Sequence, residues 1–143
     1  MTNNIRIADE KEISDIMKIW VSENISAHNF IEKKYWENNT QKTTDLIKKS
    51  KTFIYEKNGE IIGFISLSGN YINNICIKKE HQRNGIGKKL LVHCKNIFWS
   101  LIVRVYFENN QAVSFFEKNS FFERDKINNA ETEKCELCME WIK

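Results

Sequence analysis

The sequence has no proline, only five glycines among 143 residues, and no apolar run that approaches the length of a membrane span. Its formal net charge of +3 gives little reason to expect nucleic-acid binding. Such binding would show as an affinity for DNA or RNA that falls steeply with salt concentration. The start at 1–12 is polar and lacks the apolar centre of a signal peptide. We therefore predict one domain over 1–143 that is cytoplasmic and binds no membrane.

The four cysteines fit free thiols in a reducing compartment. Cys135 and Cys138 form a C-x-x-C pair, but the segment 136–142 has the pattern of a strand, in which side chains three residues apart point to opposite faces. Such a pair cannot share a metal, and no second pair or suitably spaced histidine completes a four-ligand set. We predict no metal site, and we interpret Cys76 and Cys94 as small packing residues.

Two of the glycines, Gly85 and Gly87, stand between a β-branched stretch that ends at Ile77 and a helical pattern. Free N–H groups at a helix start favour anions, and glycine lets a phosphate approach the main chain. A dinucleotide-binding fingerprint needs glycine at the position of Leu90, and a P-loop needs serine or threonine at the position of Lys89, so both are excluded. The loop then indicates either a site for a ligand that carries phosphate or only a tight entry into the helix.

The apolar patterns predict the element order β-α-α-β-β-β-α-β-α-β-β, with the glycine loop between the fourth strand and the third helix. Asp9 and Glu12 have the spacing of a capping box that opens the first helix. The later helices are predicted at about 34–49, 86–99 and 110–118, and the strands at 5–7, 52–57, 60–67, 71–77, 101–107, 121–127 and 135–142. The strand at 101–107 is expected to be buried on both faces.

Two separate motifs carry a resemblance to a known family. The Gln-x-x-Gly-x-Gly of 82–87 resembles the acyl-CoA-binding motif of the GNAT (Gcn5-related) N-acetyltransferases, and 109–121 is similar to the family's Asn-x-x-Ala-x-x-Phe-Tyr-x-x-x-Gly-Phe. The resemblance covers nearly the whole chain. It is closest to small bacterial single-domain members that acetylate peptidyl-lysine, in the segments 28–31, 35–36 and 139–141. It implies an α/β fold with a mixed, mostly antiparallel sheet, splayed strands 4 and 5, and about four helices.

The resemblance also implies that acetyl-CoA is the cosubstrate. The main chain of Ile77 would pair with the pantetheine arm, and its N–H would stabilise the oxyanion. The N–H groups of 82–88 would hold the pyrophosphate. The expected cofactor-binding residues are Ile75, Cys76, Ile77, Gln82, Arg83, Asn84, Gly85, Ile86, Gly87, Lys88, Asn109, Phe115 and Phe116. For the two phenylalanines, the alternative is that they only form the core face of a helix.

The acceptor implied by the resemblance is a primary amine, either a protein lysine or N-terminus or a small-molecule amine. The region between the first two helices walls the acceptor side in the family, so His28, Phe30 and Trp36 are expected to contact the acceptor. Each has a plainer alternative, since His28 could cap or pack the loop and Trp36 could pack the second helix.

One departure from the family bears on catalysis. The tyrosine that often protonates the leaving thiolate is Phe116 here, so we assign no catalytic residue. As the acid, Tyr71, Tyr106, water and the substrate stay open. As a base acting through water, Glu108, Glu56 and His28 stay open, because no carboxylate stands on the strand 71–77.

Two further alternatives follow from the same residues. Because Phe116 has no proton to give, the chain could be a non-catalytic acyl-CoA-binding module, which would bind the cofactor without releasing thiol. The apolar tail with Trp141 could also pair two subunits into a homodimer.

Overall fold

A computed structural model describes residues 4–143. Residues 1–3, the first part of the segment 1–12 interpreted above, lie outside the described residues. Over the described range there are seven strands and five α-helices. They are β1 (Ile5–Ile7), α1 (Ile13–Ala27), α2 (Lys33–Asn38), α3 (Thr40–Lys49), β2 (Lys51–Lys57), β3 (Glu60–Ser68), β4 (Tyr71–Ile77), α4 (Ile86–Lys95), β5 (Ser100–Tyr106), α5 (Asn110–Lys118), β6 (Phe122–Asn128) and β7 (Cys135–Ile142). Short 3-10 turns at Glu10–Glu12 and Lys79–His81 precede α1 and α4.

The strands form one sheet in the order β1-β2-β3-β4-β5-β7-β6. All neighbouring pairs are antiparallel except β4 and β5, which are parallel. The β4–β5 ladder contains only the pairs Tyr71↔Ile102 and Ile72↔Val103, and the two strands separate beyond it. The predicted α/β fold, with its mixed sheet and splayed central strands, is thereby confirmed.

A β-bulge accounts for the separation. Ser66 pairs with Asn74 and Leu67 pairs with Ile72, so Asn73 has no counterpart on β3. An extra residue of this kind bends its strand and increases its twist. The Asn73 side chain donates hydrogen bonds to the hydroxyls of Ser68 and Ser50, at 2.8 and 3.1 Å. The bulge is therefore fixed beside the last β4–β5 pair, and β4 turns away from β5 from there on.

The sheet separates two hydrophobic clusters. Helices α4 and α5 cover one face, against which Ile75 and Ile77 pack, and α1 to α3 cover the other, where Cys76 is buried. This alternation follows from the strand's two-residue period. Cys76 and Cys94 are buried free thiols, which confirms the packing role predicted for them.

Several predicted boundaries were wrong for local reasons. The second helix splits into α2 and α3 because Asn39 leaves helical geometry, and its side-chain amide donates to the Tyr35 carbonyl at 2.7 Å. Helix α4 ends at Lys95, since the N–H groups of Ile97 and Phe98 both turn back to the Cys94 carbonyl. The capping-box spacing opens a 3-10 turn before α1.

Burial departs from expectation at two places. Strand β5 is not buried on both faces. On one face Arg104 is exposed, because helices α1 and α2 cover that face only near Tyr106. Trp141, which was considered as a possible contact between two subunits, is only 9% exposed and packs within its own chain, with the Lys95 ammonium 5.1 Å from its ring.

Cys135 and Cys138 lie on β7, which has the predicted alternation. Within residues 4–143, no helix is long and apolar enough to cross a bilayer. The same part of the chain holds no group of three or more histidine, cysteine or acidic residues that could bind a metal ion.

Candidate active site

The separation of β4 and β5 creates a cleft edged by main-chain groups. In the antiparallel ladder with β3, the Lys78 N–H donates to the Ile62 carbonyl at 2.9 Å, and Cys76 lies opposite Phe64. Hydrogen-bonding direction alternates along a strand, so residues 76 and 78 direct their groups to β3. Ile75 and Ile77 therefore direct their N–H and C=O groups toward the cleft.

Gln82 anchors the loop that follows β4. Its side-chain amide donates one hydrogen bond to the Ile77 carbonyl, at 2.8 Å, and another to a carboxylate oxygen of Glu23 on α1, at 2.7 Å. Burial raises the pKa of Glu23, although hydrogen bonds from the Lys79 backbone and from Gln82 oppose the shift. The first residue of the glycine motif is thus held against both β4 and α1. Sequence reasoning missed Glu23, because nothing in the α1 pattern distinguishes it from other acidic residues.

The backbone of the loop forms a concave run of N–H groups. Arg83 and Gly85 both adopt left-handed geometry, with φ of 65° and 79°. Left-handed residues alternating with others point successive N–H groups to one side, which suits an anion. The positive end of α4 lies directly after them, and Arg83, Lys88 and Lys89 are exposed cations beside it.

The two glycines have different roles. Gly85 is needed for its positive φ and not for space, because a Cβ there would meet nothing within 4 Å. Gly87 has no positive φ, and its need is space, because a Cβ would lie 3.0 Å from Cζ of Phe115. Phe115 is therefore the ring of α5 that borders the glycine loop. Phe116 is 2% exposed and packs edge-on against Phe121, so it lies in the core rather than at the surface of the cleft.

Asn109 begins α5 at the open end of the cleft. Its side-chain oxygen accepts a hydrogen bond from the Ala112 N–H at 3.2 Å and so caps the helix. Its side-chain nitrogen lies 3.1 Å from Nε2 of His28, whose Nδ1 is 2.9 Å from the Asn24 carbonyl oxygen. A carbonyl can only accept, so we assign the proton to Nδ1 and the acceptor role to Nε2. Burial lowers the pKa of His28, which favours this neutral form.

The three expected acceptor residues come together on the α1–α3 side of the cleft. The His28 ring stacks on Trp36 with centroids 5.0 Å apart and meets Phe30 edge-on at 5.6 Å. Trp36 is 7% exposed, so it packs beneath this surface instead of forming an open wall. Tyr106 completes the cluster, and its hydroxyl accepts weak hydrogen bonds from Asn129 and Thr132 at 3.4 and 3.5 Å.

The candidate bases are not equally placed. Glu56 lies on β2, where it pairs with Arg6 at 2.8 Å, and β3 separates it from β4. It is therefore too remote to act in the cleft. Glu108 is exposed after β5 and lies 3.8 Å from the Lys134 ammonium. Nε2 of His28 is already engaged by Asn109.

Known proteins resemble this chain in sequence and in fold. A family model described as an acetyltransferase (GNAT) domain matches residues 48–123, more than half of the chain. YiaC, a peptidyl-lysine N-acetyltransferase of Escherichia coli strain K12, is 26% identical over 139 residues, which cover 96% of this chain and 95% of YiaC.

Two solved structures show the same fold at lower identity. The solution structure of apo-form YjaB from Escherichia coli has a TM-score of 0.86 and 20% identity, and the match covers 99% of this chain and 98% of YjaB. The structure of yncA from Salmonella typhimurium, which contains its cofactor acetyl-CoA, has a TM-score of 0.67 and 14% identity, covering 99% of this chain and 94% of yncA.

Proposed function

Because the chain belongs to the GNAT family of acetyltransferases, we propose that it transfers the acetyl group of acetyl-CoA directly to the side-chain amine of a lysine in a protein. The cofactor part of this proposal is supported by one observation above all. The main-chain groups of Ile75 and Ile77 edge a cleft that opens beside the N–H groups at the start of α4. A linear arm ending in a diphosphate is complementary to that arrangement.

Each part of the cofactor would be held by a different element. The pantetheine arm pairs with Ile75 and Ile77 as an added strand and lies against the ring of Phe115. Cys76, which was expected to join them, is buried on the opposite face and directs its main-chain groups to β3. The diphosphate lies on the N–H groups at the loop and helix start, those of Arg83, Asn84, Gly85, Ile86, Gly87 and Lys88. The Gln82 N–H, which was expected to join them, instead donates to the Lys79 carbonyl at 3.3 Å. Asn109 donates to the arm from the end of β5. Phe116 supports Phe115 from below, with ring centroids 5.1 Å apart.

The reaction needs one attack and one departure. A neutral amine attacks the thioester carbon, the oxyanion accepts a hydrogen bond from the Ile77 N–H, and the C–S bond breaks as the new C–N bond is kept. The amine proton passes to solvent and the thiolate takes a proton. A thiol with a pKa of about 8.5 needs only about 2 kcal/mol of help near pH 7, so Phe116 in place of tyrosine slows transfer without preventing it.

A lysine acceptor is supported by the names of the full-length relatives. YiaC and YjaB are both named peptidyl-lysine N-acetyltransferases, and each matches most of this chain. A lysine with a pKa of about 10.4 costs roughly 4.6 kcal/mol to deprotonate at pH 7, against about 1 kcal/mol for an α-amine. The rate with a lysine acceptor should therefore rise steeply with pH.

The test is thiol release from acetyl-CoA with matched peptides. One peptide carries a free lysine and a blocked N-terminus, and the other carries a free N-terminus and an acetylated lysine. We expect thiol release and a gain of one acetyl group with the first. A polyamine is offered as a third amine. Release only with the second peptide, or only with the polyamine, would contradict the lysine acceptor.

The second candidate function is a non-catalytic acyl-CoA-binding module, which the buried Phe116 favours. It predicts saturable binding of acetyl-CoA and no thiol release with any amine. Turnover with any of the three amines would exclude it.

A further inference from the structure

A chain of hydrogen bonds crosses the open end of the cleft from α1 to α5. The Asn24 carbonyl accepts from Nδ1 of His28, Nε2 of His28 accepts from the side chain of Asn109, and Asn109 in turn accepts from the Ala112 N–H. His28 and Asn109 are 81 residues apart in sequence. This series of hydrogen bonds therefore joins the acceptor-side loop to the helix expected to hold the cofactor arm.

The two ends of this series of hydrogen bonds fix which group donates and which accepts at each step. The Asn24 carbonyl requires a donor and the Ala112 N–H requires an acceptor. Both are satisfied only when the Asn109 oxygen faces Ala112 and the Asn109 NH₂ faces an unprotonated Nε2. Reversing the amide would set its NH₂ against the Ala112 N–H, and protonating His28 would set two donors against each other.

We infer that His28 is a positioning residue that fixes the amide of Asn109, so that the second N–H of that amide is available to the acyl-CoA arm. The inference rests on the proposed function and deepens it. One N–H of the amide is used by His28, and the described residues supply no hydrogen-bond acceptor for the other. An arm that carries amide carbonyls is an acceptor of the required kind.

Protonation of His28 should therefore weaken acetyl-CoA binding. The rings in contact with His28 belong to Phe30, Trp36 and Tyr106. The titratable groups nearby are the phenols of Tyr106 and Tyr35, whose pKa values are raised by burial, and the carboxylates of Glu131 and Glu136 lie beyond them. The phenols stay neutral from acidic to neutral pH, so the imidazole is the group in this cluster that gains charge on acidification, and burial lowers its pKa from the ordinary value of 6.5.

The test measures acetyl-CoA affinity by calorimetry at about pH 8, 6.5 and 5 for the wild type, His28→Phe and a control, Phe30→Leu. His28→Phe keeps a flat ring in the aromatic cluster and removes the acceptor. We expect it to bind about fivefold to tenfold more weakly than the wild type at about pH 8, the loss typical of one hydrogen bond. We also expect its affinity to fall less than that of the wild type as the pH is lowered toward about 5. Changes from the cofactor's own phosphates are shared by all three proteins.

A second variant covers the case in which His28→Phe does not fold. Asn109→Ser keeps an oxygen that can cap α5 and removes the NH₂ group. It should show the same loss and the same weakened pH dependence, and combining it with His28→Phe should add little.

The outcomes are distinct. If the variants bind like the wild type, or bind more weakly with the wild-type pH profile, His28 does not position Asn109 and the inference is overturned. If Phe30→Leu has the same effect as His28→Phe, ring packing explains the loss and the inference is again overturned. If the wild type itself does not bind acetyl-CoA at any pH, the proposed function fails and the inference fails with it.

Discussion

The ring of Phe115 lies where a side chain on Gly87 would have to be, with Cζ 3.0 Å from the ideal Cβ position. This contact joins the two motifs that the sequence presents separately, since Gly87 belongs to the loop after β4 and Phe115 to α5. The glycine is thus needed for packing between helices as well as for access to the main chain. Any side chain at position 87 must move the ring that borders the cleft.

Gly87→Ala should therefore weaken acetyl-CoA binding with little change in stability. Replacing a helical glycine by alanine gains about 0.5–1 kcal/mol of helix propensity, which offsets the crowding against Phe115. We expect a threefold to tenfold weaker affinity, on the order of 1 kcal/mol, when the ring is displaced. Calorimetry and thermal melting together measure the two effects.

A double variant separates crowding from loss of the glycine itself. With Phe115→Leu the ring is gone, so Gly87→Ala should weaken binding no further. If the alanine is equally harmful in that background, access to the main chain, and not Phe115, explains the glycine. Gly85→Ala is the contrasting case, because its φ of 79° makes it a conformational change with no neighbour to displace.

Gly63 on β3 lies directly across the antiparallel ladder from Ile77 at the end of β4. A Cβ at this position would lie 2.5 Å from Cδ1 of Ile77 and 3.0 Å from the carbonyl oxygen of Cys76. The Ile77 methyl can rotate away, but the carbonyl can move only with the strand. We expect Gly63→Ala to lower the free energy of unfolding by about 1–3 kcal/mol, measured by urea denaturation. Adding Ile77→Val should restore only part of it, and full restoration would mean that β4 does not shift.

Glu23 should act on the cofactor through Gln82. Glu23→Ala removes the oxygen that holds the Gln82 amide, so we expect weaker acetyl-CoA binding, whereas Glu23→Gln keeps a carbonyl oxygen and should bind normally. The exposed neighbour Glu80→Gln is the matched control. Equal binding by Glu23→Ala and the wild type would show that the loop needs no anchor on α1.

The burial of Glu23 beside Gln82 also predicts how the free energy of unfolding changes with pH. Burial raises the pKa of Glu23 above 4.5, so folding favours its neutral form. Its contribution to stability is complete below pH 4.5, its ordinary pKa, and is lost as the pH rises through the folded-state pKa. Glu23→Gln should thus be at least as stable as the wild type near neutral pH, with no advantage at about pH 4.5 in chemical denaturation.

The sequence alone predicts the glycine loop but not the residues that support it. The two motifs predict the position of the cleft because Gln82, the glycines and Asn109 are local patterns. The contacts of Glu23 with Gln82 and of His28 with Asn109 join residues 59 and 81 positions apart, and no local pattern records them. They exist only because the bulge at Asn73 opens the sheet and α1 crosses its end.

The same reasoning explains the helical errors. No proline or glycine interrupts the segment 34–49, so the sequence predicts one helix where a side-chain hydrogen bond to Tyr35 divides it. Likewise, Phe115 and Phe116 are both phenylalanines, so the sequence does not distinguish them. Only the structure shows that Phe116 is buried against Phe121, whereas Phe115 lies beside the cleft.

Phe116→Tyr tests whether proton supply to the thiolate limits the reaction. A positioned acid contributes about 10²–10⁴-fold, so a hydroxyl that reaches the cleft should raise kcat measured by thiol release. A hydroxyl left in the core without a partner should instead lower the free energy of unfolding by about 1–3 kcal/mol. An unchanged kcat in a protein of unchanged stability would mean that another group already supplies the proton.

Calorimetric titration of the purified protein with acetyl-CoA tests most directly whether the cleft between β4 and β5 holds this cofactor. We predict saturable one-to-one binding with a Kd between about 1 μM and 1 mM, the range typical of enzyme substrates. Gly87→Ala should weaken it. The absence of any heat of binding at millimolar acetyl-CoA, on the order of the weakest affinity expected, would contradict the assignment of the cleft.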